Sequence, residues 1–183
     1  NLQGLDKPIL DSLGIDKNKP EKQQRNQTGS PILEEGDILL NTTLAETSDW
    51  QQVDLPVVST LRHFCIETLS SYTEDNQACI SEVDLLDDKG QPIDKTKWEV
   101  VYVSSEQADK NLGIAENLFD GDISSFWHTD PATEPGQPHR IIVDIKEIYK
   151  ISALRFKVRK GAFLSGKVKE INVYGRPQFF LFH

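Results

Sequence analysis

The sequence predicts an all-β domain, a sandwich or jelly roll. Apolar and alternating runs are short, and Gly, Pro, Asn and Asp clusters separate them. No long apolar stripe recurs at the 3.6-residue spacing of a helix. Nine such runs fall within ~150 residues, a density that suits packed antiparallel sheets.

The first run, 37–44, follows Gly36 and carries Ile38, Leu39, Leu40 and two threonines. In 51–55, Val53 and Leu55 share one parity and Gln52 and Asp54 the other, as a half-buried strand requires. Runs 60–69 and 78–86 flank the turn-like stretch 70–77, and 98–103 is rich in valine. The later runs are 140–145, 151–158, 167–174 and 178–182. Within them Leu154, Phe156 and Val158 take one pleat face and Arg155, Lys157 and Arg159 the other. Residues 109–119 are expected to hold a brief helical turn. No internal repeat is present.

Composition narrows the class. With 183 residues, Lys+Arg 20 and Asp+Glu 29, the net charge is 20 − 29 = −9, which disfavours a general nucleic-acid or anionic-membrane binder. Charge is segregated: 146–169 holds eight basic residues and one acidic, whereas 106–136 holds seven acidic and one basic. No apolar run approaches the ~20 residues of a membrane helix, and no leader is read at Asn1. Residues 1–31 are polar, and 16–30 carries no aliphatic side chain beyond the Pro20 ring, so this stretch is expected to be a linker or an arm laid on the surface. Cys65 and Cys79 either bridge across a hairpin or remain two buried free thiols. Two Asn-x-Thr triplets, at Asn26 and Asn41, are too common by chance to decide anything.

The most distinctive stretch is Ala115-Glu116-Asn117-Leu118-Phe119-Asp120-Gly121-Asp122-Ile123-Ser124-Ser125-Phe126-Trp127-His128-Thr129. His139-Arg140-Ile141-Ile142-Val143-Asp144-Ile145 follows it, and then the run from Leu154 to Arg159. These three segments, in this order, resemble discoidin-like (coagulation factor 5/8 C-type) domains, most of all carbohydrate-binding module family 32. The departures are Ser125 where the family has Thr, Lys146 where Gly usually follows the strand, and Val158 where Pro usually precedes the Arg. The resemblance implies a galactose-binding-like β-sandwich.

Stretches that resemble the family's late strands come first here: Trp50-Gln51-Gln52-Val53, Leu61-Arg62-His63-Phe64-Cys65-Ile66 and Ala78-Cys79-Ile80-Ser81-Glu82-Val83. Either the chain joins the end of one such domain to the start of another, or one domain has its halves exchanged. A leading piece of ~50 residues and a trailing piece of ~85 each bury too little apolar surface to stand alone. One circularly permuted domain over 32–183 is therefore expected.

The resemblance also implies a structural calcium site. Asp120 and Asp122 crowd carboxylates onto a tight turn at Gly121, and hard oxygen donors favour calcium. Ser125 stands at the family's Thr position, and Glu82 corresponds to the glutamate that closes the site from a late strand. The plainer alternative is an Asp-Gly turn with solvated acids.

Sugars in such modules sit in loops at one end of the sandwich, on an aromatic ring with a few polar side chains. Loop 70–77 offers Tyr72 and Asn76, loop 128–139 offers His128 and Asp130, and loop 159–163 offers Arg159 and Phe163. Each has a packing role as its alternative: Tyr72 in its loop, His128 beside Trp127, Phe163 over the sandwich edge, Arg159 as loop support. Arg155, Lys157 and Arg159 suggest a groove for an anionic polysaccharide, or else a solvated basic face. Catalysis is not expected. The four histidines lack metal-protease spacing, and the near phosphate loop at 161–168 ends on Val168 before a strand-like run instead of a helix. The expectation is a monomeric, secreted or cell-surface, non-catalytic carbohydrate-binding module that targets an attached glycoside hydrolase or polysaccharide lyase. An adhesion, protein-binding or membrane-binding discoidin domain is the alternative.

Overall fold

Among the residues described by the computed structural model (21, 25, 27, 29–132, 136–159 and 165–183), ten strands carry the fold. They are β1 Pro31–Ile32, β2 Ile38–Thr43, β3 Gln51–Thr68, β4 Cys79–Ile80, β5 Glu82–Asp87, β6 Glu99–Val103, β7 Trp127–His128, β8 His139–Lys157, β9 Glu170–Arg176 and β10 Leu181–Phe182. Two short 3-10 turns, Asp109–Asn111 and Ala115–Phe119, stand where the helical turn is predicted. The strand at Glu170–Arg176, following the near phosphate loop, confirms that no helix begins there.

The main sheet runs β2-β9-β3-β8-β5, with β6 also on β8, and every pairing is antiparallel. β3 and β5 precede the Ala115–Thr129 stretch and β8 follows it, yet β8 lies between them. Early and late halves of the chain thus interleave in one all-β sandwich of permuted order.

Two pairs of predicted strands are each one continuous strand. β3 runs from Gln51 to Thr68 through an irregularity between Asp54 and Ser59. Pro56 lies in that unpaired stretch, where its missing N–H costs no ladder bond. β8 likewise passes through Lys146, which takes a left-handed φ of 74°. Its first half pairs with β6 (Val103 with Ile141) and its second with β5 (Glu82 with Lys157). Bulges of this kind sharpen the twist and bend a strand, so both halves can face one core. Phe64, Ile66, Ile141 and Val143 from one half and Val53, Leu154 and Phe156 from the other share a single cluster with Trp127, Phe119 and Trp98.

The opposite pleat face is covered too. Cys65, Ile142, Tyr174 and Phe180 pack with Leu33, Tyr102 and Phe182, brought there by the β1–β10 pair, in which Pro31 faces Phe182 and Ile32 faces Leu181. Burial on both faces explains why His63 to Thr68 is buried without alternation. The polar member, Glu67, is held by Arg140 Nε at 2.7 Å and Asn172 Nδ2 at 2.9 Å. The cysteines are two free buried thiols, Cys65 in this outer cluster and Cys79 on β4. Burial pushes both thiols up, Cys79 to about 12.

Candidate functional site: an acidic turn, a loop cluster and a polar cavity

The Asp120 turn is built by local bonds. Gly121, at φ 80°, turns the chain where a side chain would be strained. Asp120 Oδ1 accepts from the Asp122 N–H at 2.9 Å, and Asp122 Oδ1 folds back onto the Ser124 N–H at 2.9 Å. The Ser125 hydroxyl lies 2.5 Å from Asp120 Oδ2 and 3.0 Å from the Asp122 carbonyl. Glu82, at the start of β5, reaches this turn: its Oε2 accepts the Gly121 N–H at 3.1 Å.

Glu82 is 1% exposed, and its Oε1 has no hydrogen-bond partner. Burial pushes its carboxyl up to about 7, and the bond from Lys95 offsets this only in part. The Lys95 ammonium sits between Glu82 Oε2 and Asp84 Oδ1, 2.6 Å from the latter, and Arg155 Nη2 reaches Asp84 Oδ2 at 2.7 Å. For Asp84 the two cations outweigh burial and hold the carboxyl below its ordinary range.

No cluster of three or more His, Cys, Asp or Glu side chains among the described residues is arranged around a metal position. A hard cation here would draw on mixed oxygen donors. The orphaned Glu82 Oε1, the Asp120 carboxylate, the Ser125 hydroxyl and the Asp122 carbonyl are oxygens of that kind, so the donor set fits calcium.

Two of the predicted loops, 70–77 and 128–139, are bonded to each other and to Ser165 and Gly166, while of the third loop, 159–163, only Arg159 is among the described residues. Asp75 Oδ1 accepts from Thr73 Oγ1 at 2.9 Å and the Gln77 N–H at 3.1 Å, while its Oδ2 accepts the Gly166 N–H at 3.1 Å. Burial would raise the Asp75 carboxyl, but these bonds leave it below its ordinary value. Gly166 has φ 76°, and a Cβ there would come within 2.9 Å of the Ala78 backbone, so the junction requires glycine. His128 Nδ1 lies 2.5 Å from the Thr129 carbonyl and so carries the proton, leaving Nε2 to accept from Ser165 Oγ at 2.7 Å. Burial lowers the His128 pKa. His139 Nε2 donates to the Asn76 carbonyl at 2.6 Å.

The predicted ligand residues therefore have these places. Asn76 is exposed on the first loop, at φ 58°. Tyr72 donates its hydroxyl to the Leu44 carbonyl at 2.7 Å, with the Lys169 ammonium 5.4 Å from its ring centroid. Arg159 lays its guanidinium 4.1 Å from the Phe126 ring centroid. Phe163 lies outside the described residues. In the basic strand, Arg155 is paired with Asp84 and lies 5.1 Å from the Trp50 ring centroid, and Lys157 donates to the Ser48 carbonyl at 2.6 Å.

Asp130 is half-buried and lines a cavity of about 500 Å³ beside the end of β6 and the Asp109 turn, with Arg25 and Gln27 also on its wall. Its N–H donates to Ser105 Oγ at 2.8 Å, and the Ser105 carbonyl accepts the Trp127 indole N–H at 3.0 Å. The core tryptophan thus fixes one cavity wall. The sequence did not single out Asp75, Lys95, Ser105 or Glu106. A carboxylate two residues before an N–H it caps is a local signal for Asp75, but nothing local announces the others.

Residues 100–178 match the F5/8 type C domain family. A sialidase of Micromonospora viridifaciens is 33% identical over 84 residues, which is 45% of this chain and 13% of the sialidase. The chain thus corresponds to a small part of that relative's length.

Proposed function

We infer, for a chain that carries a discoidin-like, F5/8 type C domain, the role of a non-catalytic carbohydrate-binding module. Its glycan is held at the loop end of the sandwich. The observation that carries this is Asp130, on the second predicted loop, lining a cavity of about 500 Å³, a volume within the ~300–1,000 Å³ range of ligand sites. Support for a binding role comes from the side chains capable of nucleophilic or base chemistry. Both thiols are raised by burial, and His128 is engaged with the Thr129 carbonyl and Ser165.

Recognition on this scaffold works by preorganisation. Asp75 clamps the first loop to Gly166, and Thr129 Oγ1 donates to Gln77 Oε1 at 2.6 Å, tying the second loop to the first. Loops fixed in this way lose little conformational freedom when a sugar arrives. Arg159 and Asn76 offer a charged donor and an amide, and Asp130 offers an acceptor that fixes a hydroxyl's direction. Tyr72 is half-buried.

Calcium belongs to the Asp120 turn in this reading, held by Asp120, Ser125, Glu82 and Asp122, the last through its carbonyl. Bound there it would neutralise Asp120 and Glu82 and tie β5 to the turn. In this reading the protein is a secreted or cell-surface monomer, attached to a polysaccharide-active enzyme whose effective concentration on the glycan it raises. A glycan array on the full chain, followed by calorimetry with Asp130→Ala and Arg159→Ala, tests the function. Binding that weakens in both variants supports it, and an array with no retained glycan overturns it.

A further inference from the structure

The last residues of the chain close the outer face of the sandwich, and one imidazole holds them there. His63, on β3, is 3% exposed. Its Nδ1 accepts the Phe180 N–H at 3.2 Å, and its ring stacks on Phe179 with centroids 4.3 Å apart and planes 15° from parallel. Arg176 Nη1 donates to the Phe179 carbonyl at 3.3 Å, and the Arg62 guanidinium lies 4.8 Å from the Phe179 centroid. The chain then enters β10, and Phe180 and Phe182 pack with Cys65, Ile142 and Tyr174. The His183 N–H donates to the Ser30 carbonyl at 3.0 Å beside the β1–β10 pair.

A neutral imidazole accepts through one nitrogen only. Here that nitrogen is Nδ1, so the proton sits on Nε2, 3.9 Å from Asp144 Oδ2. Acid adds its proton to the same lone pair that holds Phe180. Two N–H donors then face each other, and a charge appears at a buried site. The surroundings answer that charge poorly. Arg62 faces it from β3, Arg176 from β9, and Asp144 and Lys146 from β8. Asp144 already accepts two bonds from Arg62, at 3.0 and 3.2 Å, and the Lys146 N–H at 2.8 Å, and the Lys146 ammonium is 3.8 Å away. Farther out, Glu99 of β6 pairs with Lys146, and Asp37 pairs with Arg176. Residues 179–182 bring only apolar side chains. Stacking attracts an imidazolium weakly here, because the Phe179 ring is half in solvent. Burial holds the imidazole below its ordinary range; Asp144 opposes this, and Arg62, Arg176 and Lys146 add to it.

We propose that His63 is a proton-operated latch: at neutral pH it holds 179–182 on the outer face, and in acid it lets that segment lift while the β3–β8 ladder stays formed. Once the segment lifts, the imidazolium reaches water, and the face that Phe180 and Phe182 close becomes accessible. The imidazole takes its proton more readily with the segment open than closed. Below its ordinary value of about 6.5, each pH unit therefore multiplies the open population about tenfold, down to the closed-state value. Above that ordinary value the latch is shut and insensitive to pH.

Amide hydrogen exchange of the full chain, followed by NMR from about pH 7.5 to about pH 4.5 with each rate divided by the intrinsic rate at that pH, tests the latch. The expected result is protection of the Phe180 and His183 amides that falls about tenfold per pH unit through the acid range, while the amides of the β3–β8 ladder keep theirs. In His63→Gln, whose carboxamide oxygen accepts the same N–H and does not titrate, the selective loss disappears. By reciprocity, Phe182→Ala loosens the segment and raises the His63 titration midpoint, read from its imidazole resonances, toward the ordinary value. Protection at Phe180 that follows the ladder amides at every pH overturns the proposal. So does a selective loss that persists undiminished in His63→Gln, which assigns it to a carboxyl such as Asp144. If His63→Gln does not fold, the Phe182→Ala comparison decides: a raised midpoint supports the latch and an unchanged one overturns it.

Discussion

Two acidic regions of this protein use the same residue types to opposite ends. At the Asp120 turn, Glu82 and Asp84 are buried and their charge is answered from inside by Lys95 and Arg155. In the cavity, Asp109 is exposed and Asp130 is half-buried, with its Oδ1 accepting the Ala132 N–H at 2.9 Å. Buried charge must be matched within the fold or by a captured ion, because water cannot reach it. Accessible charge is solvated and can exchange its water for a ligand. The difference separates a group that holds the sandwich together from one that can be offered to a partner.

The sharpest way to break the comparison is Lys95→Met. Removing one partner from a buried ion network strands Glu82, leaves Asp84 with Arg155 alone and costs about 3–5 kcal/mol. Urea unfolding in chelator measures it, and adding Glu82→Gln recovers much of the loss. Next in size, calcium at a hundredfold excess over its dissociation constant raises unfolding free energy by about 2.7 kcal/mol. The melting temperature follows it, and Asp120→Asn abolishes the rise. Trp127→Phe leaves the Ser105 carbonyl without its indole donor and opens a small void, for about 2 kcal/mol, read by thermal melting.

Acidity tests the same contrast with opposite signs. Burial lowers the pKa of His63 and His128, so the stability they contribute is present above the ordinary imidazole value and is lost as pH falls below it. The Glu82 carboxyl is raised to about 7, so its contribution is present below the ordinary carboxyl value and is lost as pH rises through about 7. In a metal-free Glu82→Gln variant the melting temperature therefore falls more steeply between neutral pH and about pH 5 than in the parent. Asp109→Asn is the smallest change: stability stays within about 0.5 kcal/mol by thermal melting, as for other exposed substitutions.

Much of the fold was legible because its determinants are local. Alternation marks 51–55 and the later half of β8, short apolar or valine-rich runs mark β2 and β6, and the Ala115–Thr129 stretch marks the turn. The joining of 51–55 with 60–69 was not legible, because Pro56 reads as a terminator until a neighbouring strand shows that its position is unpaired. The two-residue strands β4 and β7 exist only through each other, with Cys79 opposite His128. At the site, the approach of Glu82 to Gly121 could be anticipated from resemblance and from the need for one core. Lys95 could not, since a lysine in a polar loop carries no local sign that it will enter a buried network. Nor could the arm's docking: Arg25 finds Glu106 across 81 residues, a partner set by tertiary geometry alone.

The pairing of Pro31–Ile32 with Leu181–Phe182 has a mechanical corollary. Tension between Ser30 and His183 meets this antiparallel pair at its open end, where the rungs give way singly instead of shearing together. Under load the strap should therefore unzip first, baring Cys65, Ile142 and Tyr174 while the long β3–β8 ladder still holds. Such a domain lengthens in two steps, with the early one acting as a fuse for the later.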